Sequence, residues 1–257
     1  MNIVYIIGFF ILGLVFGSFF QVVALRLVKG ESILRPKYSY CPSCHHRLGA
    51  SELIPVFSYL FQKGRCKHCK QKISLMYPFV ELLTGLLFAV SFYSFGFTLD
   101  LLLVLILCSY FVIVLVTDLS YMIIPDEVTI TVSILLVILQ FVRLGFWGGL
   151  IQLASGIGLF ILMYLLMLLG NRLFHQESLG GGDIKLMFVV GGAVHPVLAI
   201  CVIFLGSCIA LPISLIFYFT KSENVIPFGP FLLVGLLFLI FLKVDFNSFL
   251  DFLRYLS

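Results

Sequence analysis

Two aspartates are the residues whose type and position point most directly to chemistry. Asp118 follows the apolar stretch 101–116, and Asp183 follows a run of three glycines. An acidic side chain within a bilayer is costly, about 2.5–3.5 kcal/mol at the centre of a helix on insertion scales, so one that persists at membrane depth is a functional candidate. We therefore take both aspartates as candidates for catalysis.

If the two carboxylates meet, they can share one proton, so that the pair contains an acid and a base at the same pH. Such a pair can activate a water molecule against a peptide carbonyl. The glycines before Asp183 favour this interpretation, because residues without side chains let a substrate backbone approach closely. Two alternatives remain open. Asp183 can cap the helix that follows it, and Asp118 can be an ordinary interfacial residue.

Four cysteines form two CxxC pairs separated by 21 residues, namely Cys41, Cys44, Cys66 and Cys69. Each pair can supply two thiolates from a tight turn, and two pairs complete the tetrahedral shell of a zinc ion. A disulfide or redox pair is the alternative, but a reducing cytoplasm favours metal. Because four protein ligands leave no open position, the expected role of the zinc ion is structural.

Three further residues near predicted membrane boundaries have more than one interpretation. Glu81 can bind a substrate or cofactor, or it can pair with Lys72 or Arg65. Asp126 follows a proline and best fits the cap of the next helix. Gly229 lies between two prolines, and the turn can brace an active site, although a simple helix start also explains it.

The elements that must position these residues are membrane helices. The chain has 257 residues, of which 61% are hydrophobic and 11% charged, and its mean hydropathy is +1.18. A soluble domain carries about 25% charged residues, so lipid must cover much of this exterior. The expected fold class is an all-α integral membrane protein with about eight transmembrane helices and a four-cysteine zinc-binding cytoplasmic loop.

Apolar runs of about 20 residues mark the expected spans. They lie near 3–27, 79–96, 99–117, 127–143, 148–170, 184–194, 196–219 and 227–243. The first run has no preceding basic residue and no cleavage site of small residues, so it is expected to be a mature helix rather than a signal peptide. This divides the chain into a transmembrane helix at 1–27, a cytoplasmic zinc-binding loop domain at 28–78 and a membrane-embedded domain of about seven helices at 79–257, which contains both candidate catalytic aspartates.

Charge predicts the orientation of these spans. Ten of the 16 Lys and Arg residues lie between Arg26 and Lys72, which places that loop in the cytoplasm by the positive-inside rule. Counting spans then puts the loops at 118–126 and 171–183, with both aspartates, on the same side. A basic loop can also bind nucleic acid, but membrane topology already accounts for its charge, so no nucleic-acid partner is expected.

An ordered set of motifs along most of the chain resembles the type IV prepilin peptidases, which are bifunctional leader peptidases and N-methyltransferases, and is similar to their competence-pilus form from Gram-positive bacteria. The chain departs from the family pattern at Gln21, where asparagine is usual, and at Leu75-Met76, where a basic residue is usual. The matching motifs are Gly17-Ser18-Phe19 with Arg26, Cys41-Pro42-Ser43-Cys44, Glu52-Leu53-Ile54-Pro55, Gly64-Arg65-Cys66-Lys67-His68-Cys69, Ile73-Ser74, Tyr77-Pro78-Phe79-Val80-Glu81, Thr117-Asp118, Ile124-Pro125-Asp126, Gly180-Gly181-Gly182-Asp183-Ile184-Lys185-Leu186 and Pro227-Phe228-Gly229-Pro230.

The resemblance implies that Asp118 and Asp183 are catalytic, with Asp183 in the GxGD motif shared with presenilin-like intramembrane proteases. It implies cleavage of the short basic leader of a prepilin or pseudopilin, after Gly and usually before Phe, at the bacterial plasma (inner) membrane. It also implies methylation of the new N-terminal amine by S-adenosylmethionine, linked to the first cytoplasmic loop. Among the interpretations of Glu81 that its position allows, we take it as the candidate cofactor ligand. The residues expected near the substrate are Gly180, Gly181, Gly182, Lys185 and Gly229.

Other classes of protein remain as alternatives. An ion-coupled transporter uses intramembrane acids to bind ions, and it predicts aspartate-dependent flux without a peptide product. A non-catalytic pilus-assembly scaffold predicts that substitution of the aspartates leaves assembly unchanged. A methyltransferase without protease activity is disfavoured by the presence of both aspartates.

Overall fold

The computed structural model describes residues 3–33, 35–36, 38–175, 179–219 and 227–244. The secondary structure of these residues is almost entirely helical. The β pairing among them consists of two isolated β-bridges. The chain forms two compact units, Met1–Leu101 and Leu102–Ser257. The expectation of an all-α architecture is confirmed.

The first unit is built on two long apolar helices, α1 (Ile3–Val28) and α3 (Met76–Phe95), which pack against each other. Glycines let their backbones approach closely, as is common between membrane helices. A Cβ atom added at Gly13 would lie 2.6 Å from the carbonyl oxygen of Thr84, and one at Gly17 would lie 2.9 Å from the Cα atom of Glu81. Between the two helices the chain forms the cysteine-containing loop, with a 3-10 turn at Ala50–Glu52 and the short helix α2 (Phe57–Phe61).

The second unit contains the other five helices. They are α4 (Leu99–Tyr121), α5 (Asp126–Phe174), α6 (Gly181–Ala193), α7 (Pro196–Phe219) and α8 (Gly229–Phe241). The 49-residue α5 is interrupted at Gly145, where φ is 73° and ψ is −176°. A left-handed φ is easily accessible to glycine alone. This break separates the two spans that the sequence predicts at 127–143 and 148–170.

Five of the described helices, α1, α3, α4, α5 and α7, are long and apolar enough to cross a membrane, and α8 is a shorter apolar helix. The helices α6 and α8 have 13 residues each, which makes them about 20 Å long. The hydrocarbon core is about 30 Å thick, so neither of these two helices matches it in length. The predicted positions of the helices are otherwise reproduced within a few residues.

The short helix α6 is enclosed by the rest of its unit, and its C-terminal end needs partners for its backbone carbonyls. Gln140 of α5, which is 1% exposed, donates from Nε2 to the carbonyl oxygens of Gly192 at 2.9 Å and Ala193 at 3.1 Å. Gln152 of α5 faces only acceptors there, so its amide is assigned with the nitrogen toward them; in that orientation it donates to the carbonyl oxygens of Val194 at 2.9 Å and Gly191 at 3.2 Å. Two glutamines of α5 therefore terminate α6 in apolar surroundings without leaving its carbonyls unpaired.

Candidate functional site

Asp118 lies in the last turn of α4. This helix ends because Met122 adopts a positive φ of 54°, and the Met122 N–H donates to the carbonyl oxygen of Asp118 at 2.9 Å. The Asp118 side chain is only 6% exposed, and Thr117 beside it is fully buried. The sequence predicts a carboxylate at a membrane boundary, and the structure places it facing the interior of its unit.

Asp183 lies in the first turn of α6. The N-cap position of this helix belongs to Gly180, with φ −68° and ψ 136°, so Asp183 is the third helical residue and not the cap. A Cβ atom at Gly180 would lie 3.2 Å from Oδ2 of Asp183, whereas one at Gly181 would meet nothing within 4 Å. The backbone beside the carboxylate is therefore open on the side of Gly181.

The two carboxylates converge on Gly229, the first residue of α8. A Cβ atom added at Gly229 would lie 3.2 Å from Oδ2 of Asp118 and 3.5 Å from Oδ1 of Asp183. The two oxygens can be no farther apart than the sum of these distances. In addition, the backbone N–H of Gly229 donates a hydrogen bond to Asp118, and the two carboxylates interact as like charges. Three helices thus bring together residues that are distant in the sequence.

Ile124 forms the apolar side of this convergence, and sequence analysis did not single it out except as part of a motif. Cβ atoms added at Gly182 and Gly229 would lie 3.0 Å from Ile124 Cβ and 2.9 Å from Ile124 Cδ1, respectively. The Ile124 side chain is only 9% exposed. Glycine at 182 and 229 therefore lets this side chain pack against two backbones next to the carboxylates.

Asp126 corrects one expectation about capping. The N-cap of α5 is Pro125, with φ −66° and ψ 129°, and Asp126 is the first helical residue. A carboxylate there still interacts favourably with the N-terminal end of the helix. Its main partner is Lys185 of α6, whose Nζ lies 2.6 Å from Oδ1 and 2.7 Å from Oδ2. This ion pair links the start of α5 to the turn of α6 that carries Asp183.

A close pair of carboxylates, of which Asp118 is buried and Asp183 half-buried, has defined chemistry. Two like charges in close proximity are unfavourable in a poorly solvated site, so the pair tends to hold one proton. One member is then an acid and the other a base, which is the arrangement that activates water in aspartic proteases. The N–H of Gly229 bonds to Asp118, so the two carboxylates have different surroundings.

In the first unit, the two CxxC pairs form matching turns. The N–H of Cys41 donates to the carbonyl of His46, and the N–H of His45 donates back to Cys41; the same bonds join Cys66 with Gln71 and Lys70. An isolated β-bridge flanks each turn. Tyr40 pairs with Arg47 around the first turn, and Arg65 pairs with Lys72 around the second. His45 and Lys70 have positive φ values of 55° and 60°. Each pair thus has a backbone turn that points two sulfur atoms to one side.

The four sulfur atoms of these cysteines lie within 4.8 Å of one another, and Cys41 Sγ is 3.9 Å from Cys69 Sγ. All four cysteines are free thiols, so the disulfide alternative is not the arrangement in this structure. Burial alone would raise the pKa of Cys41, but backbone N–H groups of Cys44 and Ser43 donate to its sulfur and bring the pKa down to about 7. The pKa of Cys69 is raised to about 11, because the Gln71 N–H, which lowers it, is outweighed by burial and by the three neighbouring sulfur atoms. The closeness of four free sulfur atoms, rather than the pKa of any one of them, suits the cluster to holding a zinc ion through thiolates.

Glu81 lies at the edge of a cavity of about 460 Å³ in the first unit. It is 8% exposed, its Oε2 accepts the N–H of Val56 at 2.7 Å, and the Ser18 hydroxyl bonds to the same carboxylate. These contacts, rather than the pairing with Lys72 or Arg65 that the sequence allows, hold the side chain. The volume is within the range of small-molecule sites, about 300–1,000 Å³.

Two buried polar residues of α1 connect this helix to the loop and to the start of α3 around this cavity. The guanidinium of Arg26 donates to four backbone carbonyls of the loop. These are the carbonyls of Ser32 at 3.4 Å, Ile33 at 3.0 Å, Pro36 at 2.9 Å and Tyr38 at 3.0 Å. Gln21, one of the two departures from the family pattern, donates to the carbonyl of Tyr77 at 3.0 Å. Both residues stand at motif positions that the sequence identifies, but the sequence does not predict the hydrogen bonds that they make.

Comparison with known proteins adds independent findings. Residues 11–95 match the Bacterial Peptidase A24 N-terminal domain, and residues 105–215 match the Type IV leader peptidase family. A Prepilin leader peptidase/N-methyltransferase of Bacillus subtilis is 39% identical over 184 residues, 71% of each chain. One of the same name from Myxococcus xanthus is 39% identical over 185 residues, 71% of this chain and 54% of that relative.

A third relative extends over nearly the whole length. The Type 4 prepilin-like proteins leader peptide-processing enzyme of Escherichia coli O78:H11 is 30% identical over 264 residues, which is 91% of this chain and 93% of that relative. No solved structure matches the chain significantly.

Proposed function

This chain belongs to the type IV leader peptidase family, and from that premise we propose that it removes the short basic leader of type IV prepilins or pseudopilins. The chain is a hydrolase and a multi-pass membrane protein by its family and its apolar helices. The observation that carries the proposal is the convergence of the Asp118 and Asp183 carboxylates on Gly229. The two aspartates are the proposed catalytic pair.

The proposed mechanism uses the asymmetry of this pair. Asp118, held by the N–H of Gly229, takes a proton from water as the water oxygen attacks the scissile carbonyl. Asp183 in its protonated form donates to the carbonyl oxygen. When the C–N bond breaks, the proton on Asp118 passes to the leaving amine, and a hydroxyl of the tetrahedral intermediate returns a proton to Asp183 as the new carboxyl group forms. Each step exchanges protons between the two carboxyl groups and the substrate, so no other acid or base is needed.

The substrate-proximal residues are proposed from their position around the pair. Substrate backbone has room beside Asp183 at Gly181, where an added Cβ atom would meet nothing within 4 Å; Gly180 lies next to Oδ2 of Asp183, and Gly182 lets Ile124 pack against the same turn. Gly229 lies on the other side of the carboxylates. Lys185 lies one half-turn beyond Asp183 and, through its bond to Asp126, holds the turn in place. A substrate anchored in the bilayer would present its cleavage site at this depth already.

The proposed orientation follows from charge. The loop between α1 and α3 carries ten of the 16 basic residues when Arg26 is included, and such loops remain in the cytoplasm. We place the loop and the aspartate pair at the cytoplasmic face of the bacterial plasma membrane. The proposed domains are the first helix at 1–27, the zinc-binding loop at 28–78 and the protease domain at 79–257.

N-methylation of the new N-terminal residue is the second proposed activity, and the cavity of the first unit favours it. Glu81, Glu52 and Glu31 line this cavity together with Tyr59 and Tyr77. Carboxylates and aromatic faces suit a cationic, hydroxyl-bearing ligand, and S-adenosylmethionine has both properties. When bound, that cofactor would supply the methyl group. The proposed task of Glu81 is to hold it, and the tetrathiolate zinc ion would give the surrounding loop its structure.

The protease activity is tested by co-expressing a pseudopilin with the wild-type chain, with the Asp118→Asn variant or with the Asp183→Asn variant. The mass of the pseudopilin is then measured by mass spectrometry. A shortened product with the wild type alone supports the aspartate pair, and a further gain of one methyl group supports the transferase. Cleavage by either variant would contradict the pair. If a well-folded wild type leaves the substrate uncut, the transporter or the scaffold is favoured instead. Ion flux that depends on the aspartates would then identify the transporter.

A further inference from the structure

A second group of metal-binding side chains lies beside the four cysteines. We propose that His46, Glu52 and His68 form a separate site for a first-row divalent cation, with zinc as the expected ion. The ligand atoms of these three side chains all lie within 4.8 Å of one another. None of the three is a member of the tetrathiolate group, so the proposal concerns a different ion from the one assigned to the cysteines.

The two cysteine turns position the imidazoles. The carbonyl of His46 accepts the N–H of Cys41 at 3.0 Å, so this residue is part of the first turn. His68 lies between Cys66 and Cys69 in the second turn. The two rings are 3.4 Å apart between centroids, at an interplanar angle of 34°. Both residues are exposed, so there is room for the rings to turn toward a common ion.

Glu52 supplies the carboxylate and is already oriented. Its Oε2 accepts the N–H of Gly49 at 2.9 Å, in the manner of a helix cap. Its Oε1 is buried and has no hydrogen-bond partner among the described residues. A buried polar oxygen without a partner is unfavourable by about 1–3 kcal/mol, and more when it is charged. A bound cation would pair this oxygen, which is the observation that distinguishes a ligand set from a simple cap.

The donor set selects the class of ion. Two imidazole nitrogens and one carboxylate oxygen suit zinc and its neighbours among the transition metals, whereas calcium and magnesium prefer oxygen alone. Three protein ligands leave one position of a tetrahedral zinc ion open. The expected site is therefore weaker and more exchangeable than the tetrathiolate site, which uses four protein ligands.

The test is the zinc content of the full-length protein in detergent, measured by mass spectrometry of the metal after saturation with zinc and removal of the excess. We expect two equivalents per chain in the wild type and one in Glu52→Gln or His46→Ala. His45→Asn is the matched control, because His45 belongs to the same turn but lies outside the ligand group. It should retain two equivalents.

Cobalt substitution separates a lost site from a misfolded loop. Cobalt bound to thiolates gives an intense charge-transfer absorption that cobalt on imidazole and carboxylate lacks. Glu52→Gln should keep this thiolate band at full intensity while it loses one equivalent of cobalt. One equivalent of zinc in the saturated wild type would overturn the proposal. Two equivalents in Glu52→Gln would overturn it as well, since the second ion would then bind elsewhere.

Discussion

The backbone N–H of Gly229, at the start of α8, donates a hydrogen bond to the carboxylate of Asp118 in the last turn of α4. The same residue also faces Asp183, because a Cβ atom at 229 would lie within 3.5 Å of an oxygen of each aspartate. Glycine at this position is thus a backbone donor and a spacer between two acidic groups. This relationship assigns a specific role to a residue that the sequence alone also explains as a helix start.

Gly229→Ala should slow leader cleavage by about 100-fold, because the added methyl group must displace Ile124 or separate the carboxylates, and small displacements of reacting groups have effects of this size. Its Cβ would lie 2.9 Å from Ile124 Cδ1. Gly158→Ala is the control, since a Cβ atom there meets nothing within 4 Å. The measurement is the rate of product formation from purified pseudopilin, and an unchanged rate in Gly229→Ala would refute the spacer role.

Exchange of the charges in the Asp126–Lys185 pair tests whether Lys185 positions the active site. The two side chains are 55% and 47% exposed, so the pair should contribute no more than about 1 kcal/mol to stability. Lys185→Asp should nevertheless slow cleavage by about tenfold, because it loosens the turn that carries Asp183. Adding Asp126→Lys should restore most of the rate. If the double variant stays as slow as Lys185→Asp, the lysine acts on the substrate instead.

Glu81→Gln should abolish methylation and leave cleavage intact. The amide still has a carbonyl oxygen to accept the N–H of Val56, but it lacks the charge proposed to hold the cofactor. The aspartates belong to the other unit, so their chemistry should not change. The masses of the processed pilin and of its methylated form give both activities in one experiment. Glu127→Gln, an exposed carboxylate of α5, is the control, and persistent methylation by Glu81→Gln would refute the cofactor assignment.

Replacement of the cysteines by serine tests the tetrathiolate. Cys41→Ser with Cys66→Ser removes one ligand from each turn, so the thiolate-bound ion should be lost and the loop should become sensitive to protease. The readouts are the thiolate band of the cobalt-substituted protein and limited proteolysis. Zinc affinity should fall as the pH is lowered, because protons compete for the thiolates. Cys201→Ala, outside the cluster, should change neither readout. A cysteine variant that keeps the full thiolate band would contradict the assignment.

Gln140→Leu should destabilise the second unit by leaving two carbonyls of α6 without their donor. Each buried carbonyl left unpaired costs about 1–3 kcal/mol, and the bonds to Gly192 and Ala193 are 2.9 and 3.1 Å long. Thermal unfolding in detergent should therefore begin at a lower temperature. Thr131→Val, which removes an exposed hydroxyl on the same helix, should shift it little. Equal stability of the two variants would show that α6 does not depend on this cap.

Sequence alone was sufficient for the features that are encoded locally. Apolar runs gave the positions of the helices, because the cost of burying backbone in lipid without internal hydrogen bonds leaves only helices for such segments. The break at Gly145 falls in the short interval between two predicted spans. The paired CxxC spacing predicted a metal cluster, and the ordered motifs identified the family that the comparisons then confirmed.

Tertiary structure decided the features that depend on packing between distant segments. The sequence allowed Asp118 and Asp183 to meet, but only the packing of α4, α6 and α8 shows that both face Gly229. The tertiary structure likewise shows that Val56 and Ser18 are the hydrogen-bond partners of Glu81. Residue spacing reports which side chains share one helix face, whereas contacts between helices depend on how whole surfaces fit together. For that reason the identity of the candidate residues was predictable from sequence, and their geometry was not.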